Sequence, residues 1–258
     1  MRTFVLISML VSSAAFADVI AGVRASVPRL DKLKRGKLAT SIRPALETFG
    51  ARALPDLIAA ANEPFDPSWT ESARLAWRVS VLEALGTLQD AQARPVFEQA
   101  LADDAAPFLV QRAAAEGLAK LGELATLERL ISRDAVVAGI GSLRSPQTVR
   151  VLAAELDKKP NEARAKLLVK ALGEVANAWA WQTLPNREAE QTTRNAAAAA
   201  LVKAFVASSG EVRQAASNAL VVVDAPATPA LIAQARAGGV ALVELEGLQQ
   251  RLVKSPMR

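Results

Sequence analysis

Apolar residues recur at three- and four-residue spacing in short runs along this chain. Each run is followed by a small polar residue and then a second apolar run. In WRVSVLEALGTLQDAQARPVFEQAL (77–101), Val81, Leu82, Leu85 and Leu88 share one helical face, and Val96, Phe97 and Leu101 share another. The order returns in VQRAAAEGLAKLGE (110–123), AGIGSLRSPQTVRVLAAEL (138–156), EARAKLLVKALGEVANAWAWQTL (162–184), TTRNAAAAALVKAF (192–205) and EVRQAASNALVVVD (211–224). The marker apolar positions are 85, 118, 140, 172, 201 and 220, spaced by 33, 22, 32, 29 and 19 residues. Spacings near 30 suit a repeat of two helices, and the short ones imply a trimmed helix or a slip in register. A more degenerate unit precedes them at 41–61.

Five residues after each of four markers stand Asp90, Glu123, Ser145 and Asn177. Asp, Ser and Asn cap helix N-termini well and Glu suits a first turn, so a second helix is expected to begin at each. Pro146 falls at a first helical position, where its missing N–H costs nothing. Alanines at 113–115 and 196–200 favour helix and let neighbouring helices approach closely. A helical hairpin of this size cannot bury its own apolar face, and stacking on the next hairpin does so. The predicted fold is all-α, an α-solenoid of stacked antiparallel helix pairs with about six units.

VQRAAAEGLAKLGE, WRVSVLEALGTLQD and KALGEVANA resemble the HEAT-repeat family, in its short bacterial phycobilin-lyase HEAT-like subtype. The resemblance covers roughly residues 41–237, with its strongest part at 71–184. It implies architecture and little about function. The repeat array is expected over 41–238. Pro64 and Pro67 in NEPFDPSWT make a loop after the first unit, and PNREAEQT (185–192) reads as an insertion. Residues 239–258 supply a last helix, with Leu242, Leu245, Leu248 and Leu252 on one stripe, that caps the stack.

Residues 1–17, MRTFVLISMLVSSAAFA, have a charged start at Arg2, an apolar stretch and the small-x-small Ala15-Phe16-Ala17. This is the pattern of a cleaved signal peptide with a mature start at Asp18, and the run is too short for a spanning helix. The expected location is periplasmic or extracellular. Cysteine and histidine are both absent, which removes disulfides, lipid attachment, thiolate chemistry and imidazole catalysis. Some HEAT-like enzymes hold iron through His and Glu, and this chain has no His for that role. The resemblance to lyase-type repeats also allows a chromophore role, but no matching pocket motif accompanies it. No glycine-rich phosphate loop or nucleophile elbow is present either, so the chain is expected to be no enzyme and to need no cofactor. Asp103-Asp104 read as solvated turn residues.

The net charge of +5 is concentrated. Residues 18–40 form a basic N-terminal segment in which Arg24, Arg29, Lys32, Lys34, Arg35 and Lys37 face only Asp31 between positions 24 and 37. The plainer reading is a solvated arm. The alternative is attachment to an anionic polymer or membrane surface through Lys32, Lys34, Arg35 and Lys37. Nucleic acid is a weaker form of that idea for an exported chain. The recurrent Arg78, Arg112, Arg164, Arg194 and Arg213 are read as a ladder that fixes stacking between neighbouring units. Trp179 and Trp181 point in different directions on a helix; plain packing of both is favoured, with one exposed as a binding anchor as the alternative. Trp77 is expected in the core, and Trp69, in the proline loop, is the better candidate for an exposed ring. The leading functional expectation is a secreted, non-enzymatic binding or scaffold protein presenting a concave face of second helices to a protein partner. Candidate contacts there are Arg94, Glu98, Arg129, Arg150 and Glu155.

Overall fold

The structure is a computed structural model, and it describes residues 17–18, 20–29, 43, 46–47, 50–239 and 242–253. The chain divides into two compact units, Met1–Glu123 and Leu124–Arg258. All regular structure among the described residues is helical. This is the all-α architecture of stacked helix pairs that the periodicity predicts.

In the first unit, α1 (Leu54–Asn62), α2 (Glu71–Leu88), α3 (Arg94–Ala102) and α4 (Phe108–Lys120) form two layers. The first helices α2 and α4 pack on each other, and the second helices α1 and α3 lie against them and against one another. Thr70 caps α2 by accepting from the Ala73 N–H. Gln89 then turns the chain in the left-handed region, and Asp90 accepts from the Gln92 N–H to start a single 3-10 turn that leads into α3. Asp90 thus opens the second helix as its residue type requires. The faces read from the sequence are buried, with Val81, Leu82, Leu85, Phe97, Leu101 and Leu118 in the core. Gly117 is needed for this packing: a Cβ there would lie 2.4 Å from Cε1 of Phe97, and one at Gly86 would lie 3.3 Å from the Gly117 Cα.

The loop at 63–70 is built inward. Phe65 and Trp69 stack tilted at 5.8 Å, and Trp69 meets Trp77 edge-on at 6.0 Å. Residues 20–29 are helical, and Arg24 from this stretch lies over both indoles, pairs with Glu63 and donates to the Pro64 carbonyl. Two expectations change here. Trp69 is 6% exposed, so it is not the free ring of the loop. Arg24, with Ile20 and Val27 buried beside it, belongs to the packed unit and not to a solvated arm. The physical reason is shared: a guanidinium over an aromatic pair covers the rings that a short proline loop would otherwise leave in water.

In the second unit follow α5 (Leu124–Arg129), α6 (Asp134–Gly139), α7 (Pro146–Asp157), α8 (Glu162–Val175), α9 (Ala178–Gln182), α10 (Glu190–Ala207), α11 (Gly210–Val223), α12 (Thr228–Ala237) and α13 (Leu242–Val253). Ser145 and Asn177 cap α7 and α9 through the Thr148 and Ala180 N–H groups. α6, α8, α11 and α13 contact in sequence to form the first layer, while α7, α10 and α12 form the second. One register expectation is corrected by this order. Leu201 does not mark a new first helix, because α10 packs on the second helices α7 and α12, while α8 meets α11 directly. A Cβ on Gly173 of α8 would lie 3.0 Å from the Ala219 Cβ of α11, which shows how closely those two helices approach. Short α9 and the loop at 183–189 are therefore a long connection inside one repeat. The alanines at 196–200 followed by Leu201 imitate the first-helix signature. Leu245, Leu248 and Leu252 of α13 close the last first-layer face.

The arginine ladder is present in the second unit and has a definite chemistry: guanidinium groups cap carbonyls at helix ends. Arg164, 16% exposed, donates to the carbonyls of Ile131 (2.7 Å) and Ser132 (3.1 Å) and pairs with Asp134 (2.7 Å) and Glu155 (3.0 Å). Arg194 donates to the carbonyls of Val223 and Asp224 at the end of α11. Arg213 donates to the carbonyls of Phe205 (3.1 Å) and Ser208 (2.6 Å) and pairs with Glu244 on α13. In the first unit Arg78 pairs with Asp103 at 3.7 Å, at the end of α3.

Candidate functional site

A groove of about 890 Å³ lies between the second helices α7 and α10. Val149, Arg150, Ala153, Leu156 and Asp157 line it from α7, and Ala196, Ala199, Ala200, Lys203, Ala204 and Ala207 from α10. Both sets follow three- and four-residue spacing, so each is one helical stripe facing the gap. Lys159, Pro160, Ser208 and Ala165 of α8 complete the lining. Lys159 holds φ at +53° there.

The floor is apolar and small, and the rim is charged. Lys203 and Asp157 pair across the mouth at 2.6 Å and offset each other. Arg150 and Lys159 are exposed, and no carboxylate pairs with either among the described residues. Glu155, on the same helix, is half-buried and committed elsewhere. The Lys158 ammonium, opposed by partial burial and joined by Arg164, holds its carboxyl below the usual carboxylate range.

The other residues singled out in the sequence are dispersed. Arg94 pairs with Glu123 in the first unit, and Glu98 is exposed on α3. Arg129 is exposed at the end of α5, 3.5 Å from the Thr126 hydroxyl. Of the second-helix charges singled out in the sequence, only Arg150 lines the groove, while Glu155 pairs with Arg164. Lys32, Lys34, Arg35 and Lys37 lie outside the described residues, as do residues 1–16. The two tryptophans of α9 separate: Trp181 is 2% exposed and donates from its indole to the Val175 carbonyl at 3.0 Å, while Trp179 is 67% exposed. Plain packing of both rings is thus corrected to one packed and one free, as a two-residue offset on a helix dictates. Sequence reasoning missed Lys159 and Lys203. The signal available was the alanine stripe at 196, 199, 200, 204 and 207, which lines the groove with Ala204 buried and Ala199 and Ala207 exposed.

Among the described residues no group of His, Cys, Asp and Glu is arranged to hold a metal ion, and no helix is long and apolar enough to cross a membrane.

Residues 77–103 match the family model described as PBS lyase HEAT-like repeat. The matched stretch is the body of α2, the turn at Asp90 and the whole of α3. The resemblance read from the sequence is therefore supported where its motif is clearest. No curated protein and no solved structure matches the chain. A HEAT-like repeat is a scaffold of the kind that mediates protein interactions.

Proposed function

We propose that this chain is a secreted, non-enzymatic binding scaffold that receives a protein partner on its second-helix face. The observation that carries the reading is the groove between α7 and α10, an apolar-floored surface left open between two packed second helices. Stacked hairpins suit this work because the repeat geometry holds the face rigid without any contribution from the ligand. The lack of His and Cys supports a role without catalysis. The charged start, apolar stretch and Ala15-Phe16-Ala17 support export with cleavage before Asp18.

Two measurements test the proposal. N-terminal sequencing of the protein recovered from the envelope should begin at Asp18, and an intact Met1 would remove secretion by this route. Mature protein immobilised at about 0.15 M salt, where exposed charges are screened beyond about 8 Å, should retain a protein partner from an envelope extract. A folded stack that retains none would overturn the scaffold reading.

A further inference from the structure

Helix α10 carries an alanine stripe that the packing of the fold leaves partly uncovered. Ala197, Ala198, Leu201, Val202 and Phe205 are buried against neighbouring helices. Its other side turns Ala196, Ala199, Ala200 and Ala207 to the groove, where a solvated helix ordinarily carries charged side chains. On α7, Ala153 and Leu156 are half-buried and face the same space. The result is an apolar channel along two helices, whose rim bears Arg150, Lys159 and the Lys203–Asp157 pair.

We propose that this groove binds an acidic, amphipathic α-helical segment of the partner, with its apolar edge on the alanine floor and its carboxylates on Arg150 and Lys159. The inference rests on the scaffold reading and names the partner chemistry that the site takes. Three properties select this occupant. From Ala196 to Ala207 the stripe runs about 16 Å at 1.5 Å per residue, or roughly three helical turns. Alanine leaves room above the floor for leucine-sized side chains, and a helix presents these at i, i+3, i+4 and i+7 with its own backbone already hydrogen-bonded. The unpaired charges on the rim are both positive, so flanking carboxylates complete them and flanking lysines are repelled. A nucleic acid fits poorly, because no aromatic ring lines the groove for base stacking and two free cations neutralise few phosphates.

The test uses the mature chain and three fluorescein-labelled helical peptides of about four turns, read by anisotropy at about 0.1 M salt. One has a leucine stripe flanked by Glu, the second has Lys in place of each Glu, and the third keeps Glu but has Ser for Leu. The Glu–Leu peptide should bind, and both others should bind roughly tenfold or more weakly. The double variant Arg150→Glu/Lys159→Glu, at two exposed positions, should lose the Glu–Leu peptide by a similar factor and gain the Lys peptide. Ala199→Trp, also at an exposed position, should obstruct both. Circular dichroism and the urea midpoint confirm that each variant is folded. Failure of the Glu–Leu peptide to bind, or equal binding to wild type and the charge-reversed double variant, overturns the inference. A partner that wild type and the double variant capture equally from extract would remove the groove and leave the scaffold reading standing; no capture by wild type would remove both.

Discussion

Replacing Arg164 by Ala tests whether the arginine ladder holds the second unit together or only decorates it. Arg164 makes two charge-assisted hydrogen bonds to the Ile131 and Ser132 carbonyls and two ion pairs, to Glu155 and Asp134. A hydrogen bond with a charged donor contributes about 1.5–3 kcal/mol when its loss leaves the acceptor unpaired. Water can reach part of the vacated space, which lowers the expected loss, and the half-exposed Asp134 pair adds about 0–1 kcal/mol. Glu155 keeps Lys158 as a partner, so it is not left as a lone charge. The expected destabilisation is about 2–4 kcal/mol. Arg164→Lys keeps the charge but loses the planar fork that reaches both carbonyls, and should recover about half or less. The assay is urea unfolding at pH 7 followed by circular dichroism, with near-UV signal from Trp181 reporting on the second unit. A midpoint shift equivalent to less than about 0.5 kcal/mol for Arg164→Ala, the range of ordinary surface changes, would refute the structural reading of the ladder.

The remaining predictions concern acid stability, one close contact and two indoles. Lys158 and Arg164 lower the Glu155 carboxyl; at Glu190 burial pushes upward, but Arg187 and Arg194 outweigh it and the net shift is also down. A folded value below the unfolded one means that the stabilisation is complete above the ordinary value of 4.5 and is lost as pH falls through the folded values. The urea midpoint should therefore hold from pH 7 to about 5 and drop below that, more steeply in wild type than in Arg164→Ala; equal acid slopes in the two proteins would contradict the assignment. Gly117→Ala should destabilise by about 1–3 kcal/mol through overpacking on Phe97, and Phe97→Leu should recover part of the loss in a double-mutant cycle; additive effects would show that the two residues do not meet. Trp181→Ala should cost about 3–5 kcal/mol and Trp179→Ala less than about 0.5, and acrylamide should quench the fluorescence of Trp179 far more readily than that of Trp181. Comparable losses from the two replacements would place both rings in the core.

Local chemistry determined much of this protein without reference to distant residues. Helical periodicity in 77–101 and the caps Asp90, Ser145 and Asn177 act over a few residues, so the hairpins, their starts and their buried faces were legible in order along the chain. The need to hide those faces then required stacking, and Gly117 and Gly173 sit at close approaches between packed helices. What a helix faces across a gap is a different kind of question, because it depends on which neighbours arrive. The alanine run with Leu201 reads alike whether it begins a repeat or ends one, and only the packing of α10 on α7 and α12 placed it in the second layer. Trp69 looked exposed because a proline loop usually is, until Arg24, 45 residues earlier, came to lie over it at 5.6 Å. The groove belongs to the same class: Arg150 and Lys159 are near in sequence, but their opposite wall at Ala196–Ala207 comes from a helix beyond the next hairpin's first arm. Periodicity records how much apolar surface each segment carries, and tertiary packing alone decides which part of it remains uncovered.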